Sequence, residues 1–260
     1  MSDLIETLMR EASELAQAAG AVTLEAFRAS ALSVEIKADG TEVTSADRDA
    51  EHLIREEIKL RYPDHSILGE EEDDLIGDAN LTWIVDPIDG TKGFVRGVPL
   101  YTTLLAVADE LGPMVGVIHV PVLGSTLVAG RGMGCWLDGK RCKVSDRNNL
   151  NGALVNTSSY ETFSSSALLA LKASGAQMRA WGDAFGYYLV ATGRSEAMID
   201  PVCSPWDLAP MPVILEEAGG QFSNIEGGGS FQLDAPPDSI SGLGTNRSIH
   251  NDLIEVMGSQ

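Results

Sequence analysis

Two aspartates, Asp86 and Asp89, close the run Trp83-Ile84-Val85-Asp86-Pro87-Ile88-Asp89, and Gly90 and Thr91 follow. An apolar run of this kind predicts a buried strand that ends at a sheet edge, where open α/β sheets bind ligands. Pro87 has no N–H for a ladder, so the strand is expected to stop there and leave both carboxylates at a rigid corner. Carboxylates so close repel unless a cation holds them or one takes up a proton. A hard divalent cation with oxygen ligands answers that need, and Mg²⁺ is its commonest form. Asp, Pro and Gly are also ordinary turn residues, and Asp-Gly alone decides little. The aspartyl-phosphate pattern strand-Asp-x-Asp-Gly-Thr does not fit, because Pro87 and Ile88 both stand between the aspartates.

The elements that must position this corner read as an alternation of helices and strands. Leu4, Leu8, Leu15, Ala19, Val22 and Ala26 recur at helical spacing and predict a long amphipathic helix from Leu4 to Ala29. Val34–Lys37 and a polar turn at Asp39-Gly40 come next. Thr44 opens a second helix, with Leu53, Ile54 and Ile58 on its apolar face and Pro63 at its end. Thr44 and Asp47 have capping-box spacing, and taken alone Asp47 reads as the partner of that cap. Ser66–Gly69 predicts a short strand leading into Glu70-Glu71-Glu72-Asp73-Asp74. Five acids in a row commonly make a solvated loop, but two neighbouring strand ends would place Glu70 beside Asp86.

Further strands are expected at Leu100–Asp109, Met114–Val120 and Ser125–Ala129. Glu110-Leu111-Gly112 reads as a hairpin, and another is expected in Arg131–Gly139. The polar segment Asp146–Gly152 suggests a boundary between lobes at 1–148 and 149–260 that form one catalytic unit. The second half alternates: strand Ala153–Thr157, helix Ser164–Ser174, a helix from Gly182-Asp183 to near Gly193, and strand Ala197–Asp200. A helix from Trp206-Asp207 to Gly219-Gly220 follows, with Pro210 and Pro212 in its first turns, and the last helix is Ser248–Met257.

Composition narrows the class. The chain has 260 residues, 44% of them hydrophobic, and a formal net charge of −20, which suits one large domain or two closely joined lobes. Nucleic acid and anionic membranes would repel such a chain. No apolar run is long enough to span a bilayer, and the acidic N-terminus has no basic signal region. Cys135, Cys142 and Cys203 form no CxxC pair and read as reduced thiols of a cytoplasmic protein. The four histidines lack zinc-site spacing.

Taken together, Gly69-Glu70-Glu71, Asp86-Pro87-Ile88-Asp89-Gly90-Thr91 and Trp206-Asp207 resemble the inositol monophosphatase family, magnesium-dependent and lithium-sensitive phosphomonoesterases. Lys37 and Thr44–Asp47 match in order and spacing, and the likeness runs from the first helix to Gly219-Gly220. The resemblance implies an α/β protein with mixed sheets, a layered α-β-α-β-α sandwich, as a homodimer. It implies that Glu70, Asp86 and the Ile88 carbonyl hold one Mg²⁺, that Asp86, Asp89 and Asp207 hold a second, and that a third, weaker site involves Glu70. It also implies that Asp47 and Thr91 position or deprotonate the attacking water. The chemistry agrees: a phosphate monoester is dianionic, and only bound cations let a carboxylate cluster accept it and activate water. Free N–H groups at Gly90 and Thr91 could cradle the phosphate.

The leaving-group pocket is expected around Gly182-Asp183-Ala184 and Asp200. Gly-Asp followed by Phe185, Tyr187 and Tyr188, together with Asp89–Pro99, resembles the histidinol-phosphate phosphatase branch, which usually has Asn at Gly93 and more often Glu at Asp200. A carboxylate there favours a cationic leaving group such as histidinol over a neutral polyol; Asp183 could instead cap its helix, and Asp200 could be a strand-end turn residue. Three functions follow: a histidinol-phosphate phosphatase of histidine biosynthesis, an inositol-1-phosphate or broad sugar-phosphate phosphatase, or a non-catalytic metal- or phosphate-binding protein. Asp47, Thr91 and Asp207 together weigh against the last, since binding alone needs no water-activating pair.

Overall fold

Every third or fourth residue of the first helix is buried, and that stripe begins the layering. The structure is a computed structural model that describes residues 2–29, 33–37, 40–229, 233 and 235–258; the turn residue Asp39 lies outside them. Helix α1 (Ser2–Arg28) is followed by the small hairpin β1 (Val34–Ile36) and β2 (Glu42–Thr44), and by α2 (Ser45–Arg61). Then come β3 (Ser66–Gly69), β4 (Thr82–Asp89), the single turn α3 (Thr91–Phe94), β5 (Thr102–Asp109), β6 (Gly112–Val120), β7 (Ser125–Gly130), β8 (Gly134–Leu137) and β9 (Lys140–Arg141). The second half runs β10 (Leu154–Asn156), α4 (Ser165–Ala173), β11 (Gln177–Arg179), α5 (Asp183–Ala191), β12 (Ala197–Cys203), α6 (Pro205–Leu208), α7 (Met211–Glu217), β13 (Gln221–Ser223), β14 (Ile240–Thr245) and α8 (His250–Gly258).

Strands β3 to β9 form one seven-stranded sheet in sequence order, parallel only between β3 and β4. The five-stranded sheet has the order β11-β10-β12-β14-β13 and is also mixed. Side chains alternate across a strand, and that alternation builds the layers. Leu105, Val107, Val115 and Val117 meet Leu8 and Leu15 of α1 and Ile54 and Ile58 of α2. On the opposite face, Leu104 and Ile118 meet Tyr187 and Val190 of α5 and Ile214 of α7, and Met198 of β12 closes the same cluster. The next residue, Ile199, faces away, toward Leu171 of α4 and Leu253 of α8. The result is helices, sheet, helices, sheet, helices. Each fully buried Leu, Ile or Val contributes roughly 1.5–3 kcal/mol to holding these layers. Layers also touch closely: a Cβ at Gly20 of α1 would stand 2.7 Å from Nε2 of the buried His119 on β6.

Three expectations change. Strand β4 does not stop at Pro87; it continues to Asp89 through a bulge. Asp86 pairs with Leu104 and Asp89 with Thr102, so three steps on β4 match two on β5. A bulge is where a sheet tolerates proline, and Thr103 Oγ1 donates to the Pro87 carbonyl at 2.9 Å. The helix expected from Trp206 to Gly219 is two helices, α6 and α7, broken at Ala209-Pro210; Pro210 cannot donate the hydrogen bond that would join them. Strands β11, β13 and β14 lie in segments that read as connections.

Candidate active site

The parallel pairing of β3 and β4 does the first positioning. Gly69 stands opposite Val85, so the next residues, Glu70 and Asp86, leave the same edge of the sheet side by side. The bulge at Pro87 re-aims the chain and brings Asp89 back to that edge. Asp207 arrives from the other sheet, on the first turn of α6, just after β12. Asp86, Asp89 and Asp207 each present a carboxylate oxygen within 4.8 Å of the others. Burial, then the charges of Glu70, Asp89 and Asp207, raises Asp86 well above the usual carboxylate range. Burial first, and neighbouring carboxylates after it, also raise Asp89 and Asp207.

Two of these residues have one oxygen fixed by a helix start. Asp47 Oδ2 accepts from Thr44 N at 2.8 Å and from Thr44 Oγ1 at 2.6 Å, completing a capping box. Asp207 Oδ2 accepts from Ser204 N at 2.8 Å in the same manner. The capping reading of Asp47 therefore holds for Oδ2, while Asp47 Oδ1 is buried with no hydrogen-bond partner. Asp86 Oδ1 is buried and unpartnered as well. Buried oxygens without donors are costly, and hard oxygen donors grouped in this way fit a hard divalent cation.

The remaining expected residues fall around this cluster. Glu70 lies outside the tight trio and is held by Lys37 Nζ at 3.0 Å, which also donates to Glu71 Oε1 at 2.6 Å. Burial raises Glu70, and the Lys37 ammonium only partly offsets it; burial pushes Glu71 up to about 7. Thr91 Oγ1 donates to the Ile88 carbonyl at 2.9 Å and not to Asp47. Gly90 has φ +84, the left-handed region that favours glycine, and a Cβ there would stand 2.9 Å from Asp183 Oδ2. Ala184 N donates to Asp89 Oδ2 at 2.8 Å, and Thr102 Oγ1 to the same atom at 2.7 Å.

The helix cap before α5 is Gly182, not Asp183. Asp183 sits at φ +54, in the left-handed region that Asp tolerates better than most residues, and its carboxylate reaches Gly90. It lines a pocket with Asp89, Ser158, Tyr187, Asp200 and Asp207. Asp200 is not at a strand end but inside β12, at an irregular register beside Cys203. Its Oδ1 accepts from Ser158 N at 3.1 Å and Ser158 Oγ at 2.7 Å. Burial, opposed by those bonds, pushes Asp200 up to about 7. Ser158 also accepts from Asp183 N at 2.8 Å, so it joins the two acids, although nothing in the sequence singles it out. The fold places it there: it follows β10, a parallel neighbour of β12, and parallel strand ends gather at sites.

A profile of the inositol monophosphatase family matches residues 4–258. The chain belongs to the inositol monophosphatase family. Among its relatives within the family, a histidinol-phosphatase of Chlorobaculum parvum is 37% identical over 250 residues, covering 95% of each chain. A fructose-1,6-bisphosphatase/inositol-1-monophosphatase of Thermotoga maritima is 32% identical, covering 83% of this chain and 82% of the relative. The extragenic suppressor protein suhB from Bartonella henselae superposes with a TM-score of 0.88 at 28% identity, covering 97% of this chain and 99% of that one. The protein is thus a phosphatase of this family, with the family's layered fold.

Proposed function

We propose that the protein is a Mg²⁺-dependent phosphatase that hydrolyses histidinol phosphate to histidinol and inorganic phosphate. The observation that carries the reading is the pocket beside the aspartate cluster, walled by Asp183 and Asp200. Their carboxylates suit a leaving group that carries an ammonium and a titratable imidazole, and offer a neutral polyol less. The histidinol-phosphatase name of the Chlorobaculum relative supports the same choice.

Glu70, Asp86, Asp89, Asp207 and the Ile88 carbonyl would hold two or three Mg²⁺ ions. Bound there, the cations reverse the local charge and lower the pKa of a water molecule. The chain's own groups supply the rest. Asp47 is fixed through Oδ2 and keeps Oδ1 free to accept a proton from the attacking water. Thr91, turned toward the Ile88 carbonyl here, would rotate its hydroxyl to relay the proton from that water to Asp47. The water oxygen bonds to phosphorus, the ester P–O bond breaks, and the leaving oxygen takes a proton from a second water molecule as histidinol departs past Asp183 and Asp200, the proton on Asp47 returning to solvent.

The rival is an inositol or sugar phosphate, as in the name of the Thermotoga relative. Phosphate release from histidinol phosphate and inositol 1-phosphate, each with and without Mg²⁺, separates them. Histidinol phosphate is expected to turn over faster, and only with Mg²⁺. Asp183→Ala is expected to lower its kcat/KM by about 10-fold or more, the worth of one charged hydrogen-bond partner, and to spare inositol 1-phosphate. Equal losses on both substrates would remove Asp183 from specificity.

A further inference from the structure

Glu51 and Arg55 are buried on α2, at 0% and 2% exposure, and take no part in the chemistry above. With Asp47 they form a stripe at i, i+4 and i+8, so all three point to one side of the helix. Arg55 Nε donates to Glu51 Oε1 at 2.8 Å. Arg55 Nε also lies 3.8 Å from Glu72 Oε2, and the pair's other hydrogen bonds go to the backbone of the acidic loop. Glu51 Oε2 accepts from Glu71 N at 2.9 Å, and Oε1 accepts from Glu72 N at 3.0 Å. Arg55 Nη2 donates to the Glu72 carbonyl at 2.9 Å, and Nη1 to the Asp73 carbonyl at 3.0 Å. The fit is close: a Cβ on Gly69 would collide with Glu51 Oε1 and stand 2.7 Å from Arg55 Nη2.

We propose that Glu51 and Arg55 are positioning residues, which clamp the backbone of residues 71–73 and so hold Glu70 against the aspartate cluster. The proposal rests on the metal-dependent reading above. Left to itself, a loop with acids at positions 70–74 would extend into water, because like charges repel along it. Removing a guanidinium and a carboxylate from water is expensive, and a buried pair is weak evidence of stability in its own right. Here the desolvated groups satisfy four backbone groups of one loop, the loop that presents Glu70 beside Asp86. The same helix that orients Asp47 thereby sets Glu70, so α2 registers the proton acceptor against a metal ligand.

The test uses Mn²⁺ alone as the probe, with binding followed by electron paramagnetic resonance of the free ion, on the full chain carrying Arg55→Lys or Glu51→Gln. Both are read well below their melting temperatures. Lysine cannot span the two carbonyls as the guanidinium fork does; glutamine keeps the shape but puts a donor against one of the amides. The expected result is a cooperatively melting protein whose Mn²⁺ affinity falls by about 10- to 100-fold, the usual cost of losing a partner behind a metal ligand. Amide exchange at Glu71 and Glu72 should quicken in the same variants. Folded variants with wild-type Mn²⁺ affinity and unchanged exchange would overturn the proposal. Failure of both to fold would overturn it too, by making the pair a strut of the core. If the wild-type protein itself bound no Mn²⁺, the metal-dependent reading would fall first and carry this one with it.

Discussion

A buried carboxylate oxygen with no hydrogen-bond donor raises the free energy of any fold that contains it, and Asp86 Oδ1 and Asp47 Oδ1 are both in that state. Asp89 differs: its Oδ2 is satisfied by Thr102 and Ala184, yet burial and the Asp183 and Asp207 carboxylates still raise its pKa. Replacing that charge by an isosteric amide relieves repulsion in the metal-free protein while removing a cation ligand. Asp89→Asn is therefore expected to melt no lower than wild type without metal. Its phosphate release should fall by more than about 100-fold, beyond the cost of losing a residue behind the ligands. Differential scanning fluorimetry in EDTA and a phosphate-release assay in Mg²⁺ measure the two effects, and retained Mg²⁺-dependent turnover would put the site elsewhere. Residue types and order made this cluster legible, because acids at 70, 86, 89 and 207 serve little purpose packed in a core. Ser158 was not legible: a serine between an asparagine-threonine pair and another serine carries no chemical signature until Asp183 and Asp200 are seen on either side of it.

At the scale of elements, long periodic segments could be read and interrupted ones could not. Helix α1 and strands β5 and β6 announce themselves through spacing that burial then uses. Proline usually ends a strand, so from sequence β4 reads as stopping at Pro87, and its pairing with β5 reveals the bulge that carries it to Asp89. Strand β14, Ile-Ser-Gly-Leu-Gly-Thr, looks like a loop; its glycines are there because a Cβ at Gly244 would stand 2.7 Å from the Tyr187 ring. The contact of α1 with the large sheet gives a test. His119 of β6 lies under Gly20 and is hydrogen-bonded through Nδ1 to Thr126 Oγ1 at 3.0 Å, and Gln17 Nε2 donates to the same hydroxyl. Burial pushes His119 down to about 4, against small upward pulls from the Ser125 backbone and Asp138. A histidine depressed on folding binds its proton in the unfolded chain first. Its contribution is therefore full above about 6.5, the unfolded value, and is lost as pH falls from there toward 4. At about 1.4 kcal/mol per unit the loss approaches roughly 3 kcal/mol. Urea midpoints between pH 7 and 4.5 should fall more steeply for wild type than for His119→Gln; parallel curves would show that His119 is not desolvated.

For the whole molecule the governing fact is a formal net charge of −20, with 38 acidic residues against 18 basic ones. The packing that gathers Asp86 and Asp89 of β4 with Asp207 of α6 works against this charge, and a bound divalent cation works with the packing. Mg²⁺ should consequently bind the folded chain and not the unfolded one, whose acids are dispersed. At a concentration 100 times its dissociation constant the cation would stabilise the fold by about 2.7 kcal/mol, and for a chain of this length that raises the melting temperature by roughly 5–10 °C. General screening of so acidic a surface would also stabilise, because self-repulsion weakens with ionic strength. The two are separated by NaCl at matched ionic strength and by Asp86→Asn. Specific binding predicts a rise with Mg²⁺ well above that with NaCl, reversal by EDTA, and a smaller rise in the variant. Equal rises with both salts, in both proteins, would mean that the cluster holds no cation and that its charge is relieved by protonation alone.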